Sequence, residues 1–468
     1  VIPERLQPLV DETREVTARF DRAGHRIYLV GGVVRDAILD RLSDDADLDF
    51  TTDARPEETL RLLEGWADAV WTQGQRFGTI GARKGGRDLE ITTHRAEAYQ
   101  PDSRKPDVVF ADAVEADLAR RDFTVNAMAL RLPDAVLVDP FDGVGDLADH
   151  RLRTPLSPEE SFNDDPLRML RAARFLAGYR LAPEPEVVRA VTSMRARLDI
   201  VSGERIRDEL DKLMVIERPA DGIWFLVETG LAEEFLPELP GLALEQDPVH
   251  RHKDVLAHTV AVVEKTPPDR ILRLAALFHD VGKPKTRSFG PGGVSFHHHE
   301  VVGARMARDR MRALHYSNED IDAVARLVEL HLRFHGYGEN GEWSDSAVRR
   351  YVRDAGPLLD KLNLLTRADC TSRNRTKAEA LATRMDHLER RIDELRHQEE
   401  LDAIRPDLDG TEVMSLLGLP PGPVVGRALS HLLEMRLDEG PLGRDEAERR
   451  LRAWWADQPE SAEPANPA

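Results

Sequence analysis

A single cysteine, Cys370, is all the chain carries, so neither an internal disulfide nor a cysteine-rich zinc site can be built from it. No apolar run is long enough to span a bilayer, and the N-terminus lacks the basic-then-apolar order of a secretory signal. A cytoplasmic protein with no membrane partner is expected. The chain begins at Val1, so an initiator methionine is expected upstream. Positive charge is also short: 65 Lys and Arg against 85 Asp and Glu leave a net charge of −20. That excludes a broad basic surface of the kind that grips long duplexes, so DNA is not an expected partner. Arginines do cluster in the short segments LARRDF, PLRMLRAARF and TSRNRTK, which leaves room for a local RNA path.

What the sequence does hold is 32% charged and 41% apolar residues over 468 positions. This is the balance of a globular protein, and the length is too great for one core, so about two to four domains are expected. Over 1–140, helix signals alternate with the β-rich runs RIYLVGG, ADLDFTT, GTIGARK, RDLEITTHR and AVLVDP. They predict an α+β head with a small sheet. From about Asp142 strand signals disappear, and DDPLRMLRAARFLAGY, GERIRDELDKLMVI and GIWFLVETGL carry a helical period, which predicts a helical neck and body over 141–245. Ten of the 16 histidines fall between His250 and His335, marking a further domain over 246–400 that closes with the charged helix Arg373–Leu401. Residues 401–457 read as a C-terminal helical region and 458–468 as a disordered tail. There is no internal repeat.

The segment IYLVGGVVRDAILDRLSDDADLDF ends a strand in Gly31 and Gly32, places Arg35 one turn into a helix, and returns Asp47 and Asp49 two residues apart. Paired glycines let backbone N–H groups approach phosphate, and the helix start that follows favours negative charge. Arg35 is placed to clamp phosphate oxygens. Residues two apart on a strand share a face, so Asp47 and Asp49 present their carboxylates together, a pattern that can hold two Mg²⁺ ions about 3.5–4 Å apart. Glu90 is the candidate third acid from a neighbouring strand. Asp165 and Arg168, three apart, are expected on one helical face.

A second constellation lies downstream: His258, the adjacent pair His279 and Asp280, then His299, His331 and Asp369. Imidazole with carboxylate suits transition metals. A His-Asp pair ending a buried helix is costly unless it is paired or metallated.

LVGGVVRD, DADLDFTT, EITTHR, RRDFTVNAMAL, DPFDGVGDL and DDPLRMLRAARF follow one another over roughly residues 27–180. In that order the chain resembles the class II tRNA nucleotidyltransferase and poly(A) polymerase family, within the polymerase-β-like superfamily. The resemblance implies that Gly32 and Arg35 bind the nucleotide, that Asp47 and Asp49 hold Mg²⁺, and that Arg121 and Asp122 meet the incoming ribose. It assigns Asp165, Arg168, Arg171 and Arg174 to nucleotide binding as well. CTP and ATP both offer an exocyclic amine beside ring acceptors, which an Asp acceptor with an Arg donor fits, whereas UTP and GTP place a carbonyl there. The family usually has Glu-Asp where this chain has Asp164-Asp165. GQRFGTI stands where stand-alone poly(A) polymerases tend to carry a more basic GRRF stretch, so CCA addition is the better fit.

The H…HD…H…H…D order resembles the HD phosphohydrolase superfamily. It implies one metal on His258, His279, Asp280 and Asp369 and a second on His299 and His331, with Ni²⁺, Mn²⁺ or Co²⁺ as candidate ions. The expected function is template-independent CCA addition to tRNA from CTP and ATP, beside a metal-dependent phosphodiesterase or phosphatase. Its rivals are a poly(A) polymerase, an enzyme adding only CC or only A, and a nucleotide-sensing RNA-binding protein acting through its HD hydrolase alone.

Overall fold

Strand β1 (Ile27–Val30) is buried on both faces, as its apolar run IYLV requires, because elements cover the sheet above and below. The computed structural model describes residues 4–43, 46–98, 107–244, 254–290, 293–336, 343–370, 375–399 and 404–458. It divides into two compact units, Val1–Pro240 and Gly241–Ala468.

In the first unit, β1 is followed by β2 (Leu48–Thr52), β3 (Ala69–Trp71), β4 (Thr79–Lys84) and β5 (Arg87–Thr93). A separate hairpin, β6 (Arg95–Ala98) with β7 (Asp107–Phe110), precedes β8 (Ala129–Leu132) and β9 (Val136–Val138). The seven-stranded sheet runs β3-β4-β5-β2-β1-β8-β9. Its pairings are antiparallel except between β2 and β5, which run parallel. Leu48 and Phe50 of β2, with Leu89 and Ile91 of β5, are buried, while Asp49 and Glu90 between them are exposed. The period of two thus separates core from site on the same strands.

Beyond the sheet the unit is helical, with one difference from the sequence expectation. The helix Pro158–Asp164, opened by a capping box between Ser157 and Glu160, stops at Asp165, whose backbone is extended at φ −142° and ψ 101°. Pro166 is the cause, since the residue before a proline is pushed out of the α region. A new helix, Arg168–Tyr179, begins beyond it and packs against Gly203–Met214 and Ala220–Glu228. Strands also persist past Asp142. Arg151–Leu152 pairs with Ala182–Pro183, and Ser288–Gly290 pairs with Gly293–Ser295. Ladders of two or three residues are too short to leave an alternating pattern in sequence.

The second unit packs the helices Val255–Lys265, Arg270–Phe278, His299–Ala313, Asn318–Leu330 and Leu359–Asp369 against one another. A long charged helix, Arg375–Glu399, follows. The helices Gly410–Leu417, Pro423–Glu439 and Arg444–Ala456 then close on a small core that includes Val413, Ala428, Leu432 and Leu451. Among the described residues no helix is long and apolar enough to cross a membrane. The expected boundaries at 245/246 and 400/401, the start of TSRNRTK and the tail beyond Gln458 lie outside the described residues.

Candidate active sites

The parallel pairing of β2 with β5 sets Asp49 opposite Glu90. Asp47 lies two residues earlier, just before β2 begins, and is exposed like them. Burial in the surrounding protein, with the charges of Glu90 and Asp47, pushes the carboxyl of Asp49 up to about 6 against the pull of Arg121. The three acids stand together as a cluster of negative charge that a divalent cation would relieve.

Gly31 turns the chain from β1 into the helix Gly32–Ile38 at φ +74°. The left-handed backbone calls for glycine, and a Cβ there would stand 2.7 Å from Nη1 of Arg121 and shift the end of that side chain. Arg121 also pairs with buried Asp117 at 3.4 Å, and its Nε is buried without a hydrogen-bond partner. This arginine links the glycine turn to the acid cluster.

Arg35 is placed differently from the phosphate clamp that its sequence position suggests. It is buried, donates to both oxygens of Asp36 at 2.9 and 2.7 Å and to Asn126, and lies 4.2 Å from the Tyr179 ring centroid. In this state its guanidinium joins the helix Gly32–Ile38 to the neck.

Asp122 accepts from the backbone N–H of Phe123 at 2.8 Å, from Asn126 at 2.9 Å, and from Arg171 at 2.8 and 2.5 Å. Burial alone would raise its carboxyl, but the charge of Arg171 and these bonds outweigh it and hold Asp122 well below the usual carboxylate range. Arg171 reaches Glu209 at 3.6 Å and Arg174 reaches it at 2.7 Å. Glu209 was not singled out from sequence, although a signal exists. It is a buried acid on the stripe formed by Ile206, Leu210 and Leu213 in an otherwise amphipathic helix.

Asp165 and Arg168 do not share a helical face. Asp165 accepts from the N–H of Leu167, just before the next helix, at 3.2 Å and pairs with Arg205 at 2.7 Å. Arg168 is turned inward, donating to Ser161 O at 3.3 Å, Ser161 Oγ at 2.9 Å and Arg120 O at 2.5 Å.

In the second unit, all six expected residues converge. His258, His279 and Asp369 form one group of potential ligands, and Asp280, His299 and His331 a second. Asp280 faces both, with Oδ2 3.3 Å from His279 Nε2 and Oδ1 3.4 Å from His299 Nε2. Asp280 thus stands between the two groups, with one oxygen turned toward each.

The Nδ1 atoms of His279, His299 and His331 lie 2.6, 2.8 and 2.6 Å from the carbonyls of Ala276, Phe296 and Val328. Each ring thus donates through Nδ1 and turns Nε2 inward as an acceptor, the arrangement that metal-binding histidines use. Burial, with the neighbouring His279, pushes His331 down to about 3, so the ring is neutral. Nε2 of His299 is buried and makes no hydrogen bond of good geometry. This donor set fits metal ions.

Fold and geometry together place an acid cluster on a mixed sheet followed by a helical region, and a histidine-aspartate cluster in a second, helical unit. Residues 27–153 match the poly A polymerase head domain, 180–242 the probable RNA and SrmB-binding site of polymerase A, and 253–374 the HD domain. Domains of the first and last kind generally depend on metal ions. The A-adding tRNA nucleotidyltransferase of Deinococcus radiodurans is 34% identical over 445 residues, 92% of this chain and 95% of that one. On that full-length relationship the chain belongs to the tRNA nucleotidyltransferase family. The CCA-adding enzyme of Streptococcus gordonii is 39% identical over 241 residues, 51% of this chain and 58% of that enzyme. Among solved structures, the Bacillus stearothermophilus CCA-adding enzyme in complex with CTP has the same fold, with a TM-score of 0.69 at 23% identity over 97% of this chain and 98% of that one.

Proposed function

We propose that this chain is a template-independent, CCA-adding tRNA nucleotidyltransferase that uses CTP and ATP to build or repair the tRNA 3′ end in the cytoplasm. The observation that carries the reading is the register of Asp49 with Glu90 beside Arg121 over the Gly31 turn. In each step the terminal 3′ hydroxyl of the RNA attacks the α-phosphorus of the nucleotide, a phosphodiester forms, and pyrophosphate leaves. Mg²⁺ held by Asp47, Asp49 and Glu90 would supply charge neutralisation at the reacting phosphate. Gly31 and Gly32 let the backbone approach the triphosphate, Arg121 and Asp122 meet the ribose side, and Arg171 and Arg174 turn positive charge toward the nucleotide. Arg35 and Arg168 join them once a nucleotide draws their guanidiniums from their present partners. Asp165 accepts from the amine that cytosine and adenine share.

The histidine-aspartate site is read as a phosphohydrolase for blocked RNA ends. A 2′,3′-cyclic phosphate leaves no hydroxyl to extend, and a hydrolase on the same chain acts at high effective concentration. Ni²⁺, Mn²⁺ or Co²⁺ suits its ligands.

A second reading, addition of the terminal A alone, is favoured by the Deinococcus relative, which aligns over 92% of the chain, whereas CCA-adding enzymes such as that of Lactobacillus gasseri align over about half. Incubating tRNA that lacks all of CCA, and tRNA that ends in CC, with CTP and ATP separately and together decides between them. Extension of the first substrate by three nucleotides supports full CCA addition. Extension of the second alone supports A addition, and long A ladders would indicate a poly(A) polymerase.

A further inference from the structure

The carboxylate proposed above to read the base is held by a residue from another helix. Asp165 lies in the extended link between Pro158–Asp164 and Arg168–Tyr179, so no helical turn restrains its side chain. Its Oδ1 takes only the Leu167 N–H, at 3.2 Å, and its Oδ2 takes Nη2 of Arg205 at 2.7 Å. The arginine expected to partner it, Arg168, has both terminal nitrogens committed to Ser161 and Arg120.

Arg205 sits in the first turn of Gly203–Met214, four residues before Glu209. Residues four apart lie one above the other on one face. That face presents Arg205 to Asp165 and Glu209 to Arg171 and Arg174. Side-chain exposure is 52% for Arg205 and 25% for Asp165, so the pair adds little to stability, while the free lone pairs of the carboxylate remain reachable.

We propose that Arg205 is a specificity-determining positioning residue, fixing the orientation of the Asp165 carboxylate so that its remaining lone pairs accept the exocyclic amine of CTP or ATP and repel the carbonyl of UTP or GTP. The inference rests on the nucleotidyltransferase reading. Without Arg205 one 3.2 Å bond restrains the carboxylate, which can then turn away from an amine or from a carbonyl alike.

The test compares wild type, Arg205→Ala and Arg205→Lys in single-nucleotide addition to tRNA with each of the four triphosphates. Calorimetric binding of CTP and UTP to the same full-length proteins runs in parallel. In Arg205→Ala the preference for CTP and ATP over UTP and GTP should fall about tenfold or more, the scale of one charge-assisted hydrogen bond. The change should come through KM for CTP and ATP rather than kcat, with Arg205→Lys restoring part of it. An unchanged preference in Arg205→Ala, or an equal loss for all four nucleotides, overturns the inference. Should wild type extend no tRNA, the function proposed above fails, and the CTP-to-UTP binding ratio still decides the role of Arg205. An equal ratio in wild type and Arg205→Ala rejects it.

Discussion

Asp49 and Glu90 face each other across the parallel junction between β2 and β5, and each is flanked in sequence by buried residues, Leu48 and Phe50 on one strand and Leu89 and Ile91 on the other. The acids can therefore be replaced without opening the core. Asp47→Ala or Asp49→Ala should lower nucleotide addition by roughly a thousandfold or more, since a metal's charge is worth several kcal/mol at the transition state. Thermal unfolding should stay close to wild type. Full incorporation by a folded double variant would withdraw these residues from the metal site.

Gly31→Ala meets two obstacles, a left-handed backbone at φ +74° and Arg121 Nη1 2.7 Å from the new Cβ. The backbone cost is about 1–2 kcal/mol, and the guanidinium end of Arg121 must shift beside the acid cluster. Addition should fall more than stability alone explains, with a melting temperature lower by a few degrees. Gly32→Ala is the control. Its Cβ would make ordinary contact with Arg35 at 3.5 Å, so its melting temperature should be nearer wild type. Equal behaviour of the two would remove Arg121 from the explanation.

The Asp122–Arg171 pair carries a pH signature. The folded-state pKa of Asp122 lies below its ordinary value. Its stabilising contribution is therefore complete above about pH 4, the unfolded carboxylate range, and fades as the pH falls through the folded value. The stability gap between wild type and Asp122→Asn should be constant from pH 7 to 5 and close in stronger acid. Urea titrations at several pH values read this directly, and a gap that widens in acid would contradict the sign.

Removing a histidine ligand should separate the two chemistries. His279→Ala should lose bound transition metal, measured by elemental analysis, and with it release of phosphate from 2′,3′-cyclic nucleotides. Extension of tRNA with a free 3′ hydroxyl should continue. If the purified wild type neither retains nor responds to Ni²⁺, Mn²⁺ or Co²⁺, the site is not a hydrolase.

How much of this was readable beforehand follows from the kind of interaction. The acids on β2 and β5 were legible because side-chain alternation is local: Asp49 stands between Leu48 and Phe50 and Glu90 between Leu89 and Ile91, with Asp47 two residues before Asp49. The helix break at Asp165 was equally local, announced by Pro166, yet the three-residue arginine spacing pointed to an unbroken helix. The carbonyls of Ala276, Phe296 and Val328 that orient the histidines are backbone groups, so no residue type marks them. The inward turn of Arg35 and Arg168 depends on hydrogen-bond partners up to 91 and 48 positions away, and neither is visible from spacing.

The junction of β2 and β5 also bears on how the enzyme should fail. Both strands lie inside the sheet, with β1 and β4 as their outer neighbours, so the acids ride on backbone that opens only when the sheet itself opens. Amides of these strands should belong to the slowest-exchanging class, released by global unfolding rather than by local fraying. Heat should then extinguish nucleotide transfer at the temperature where the first unit unfolds, with no inactive but folded interval before it.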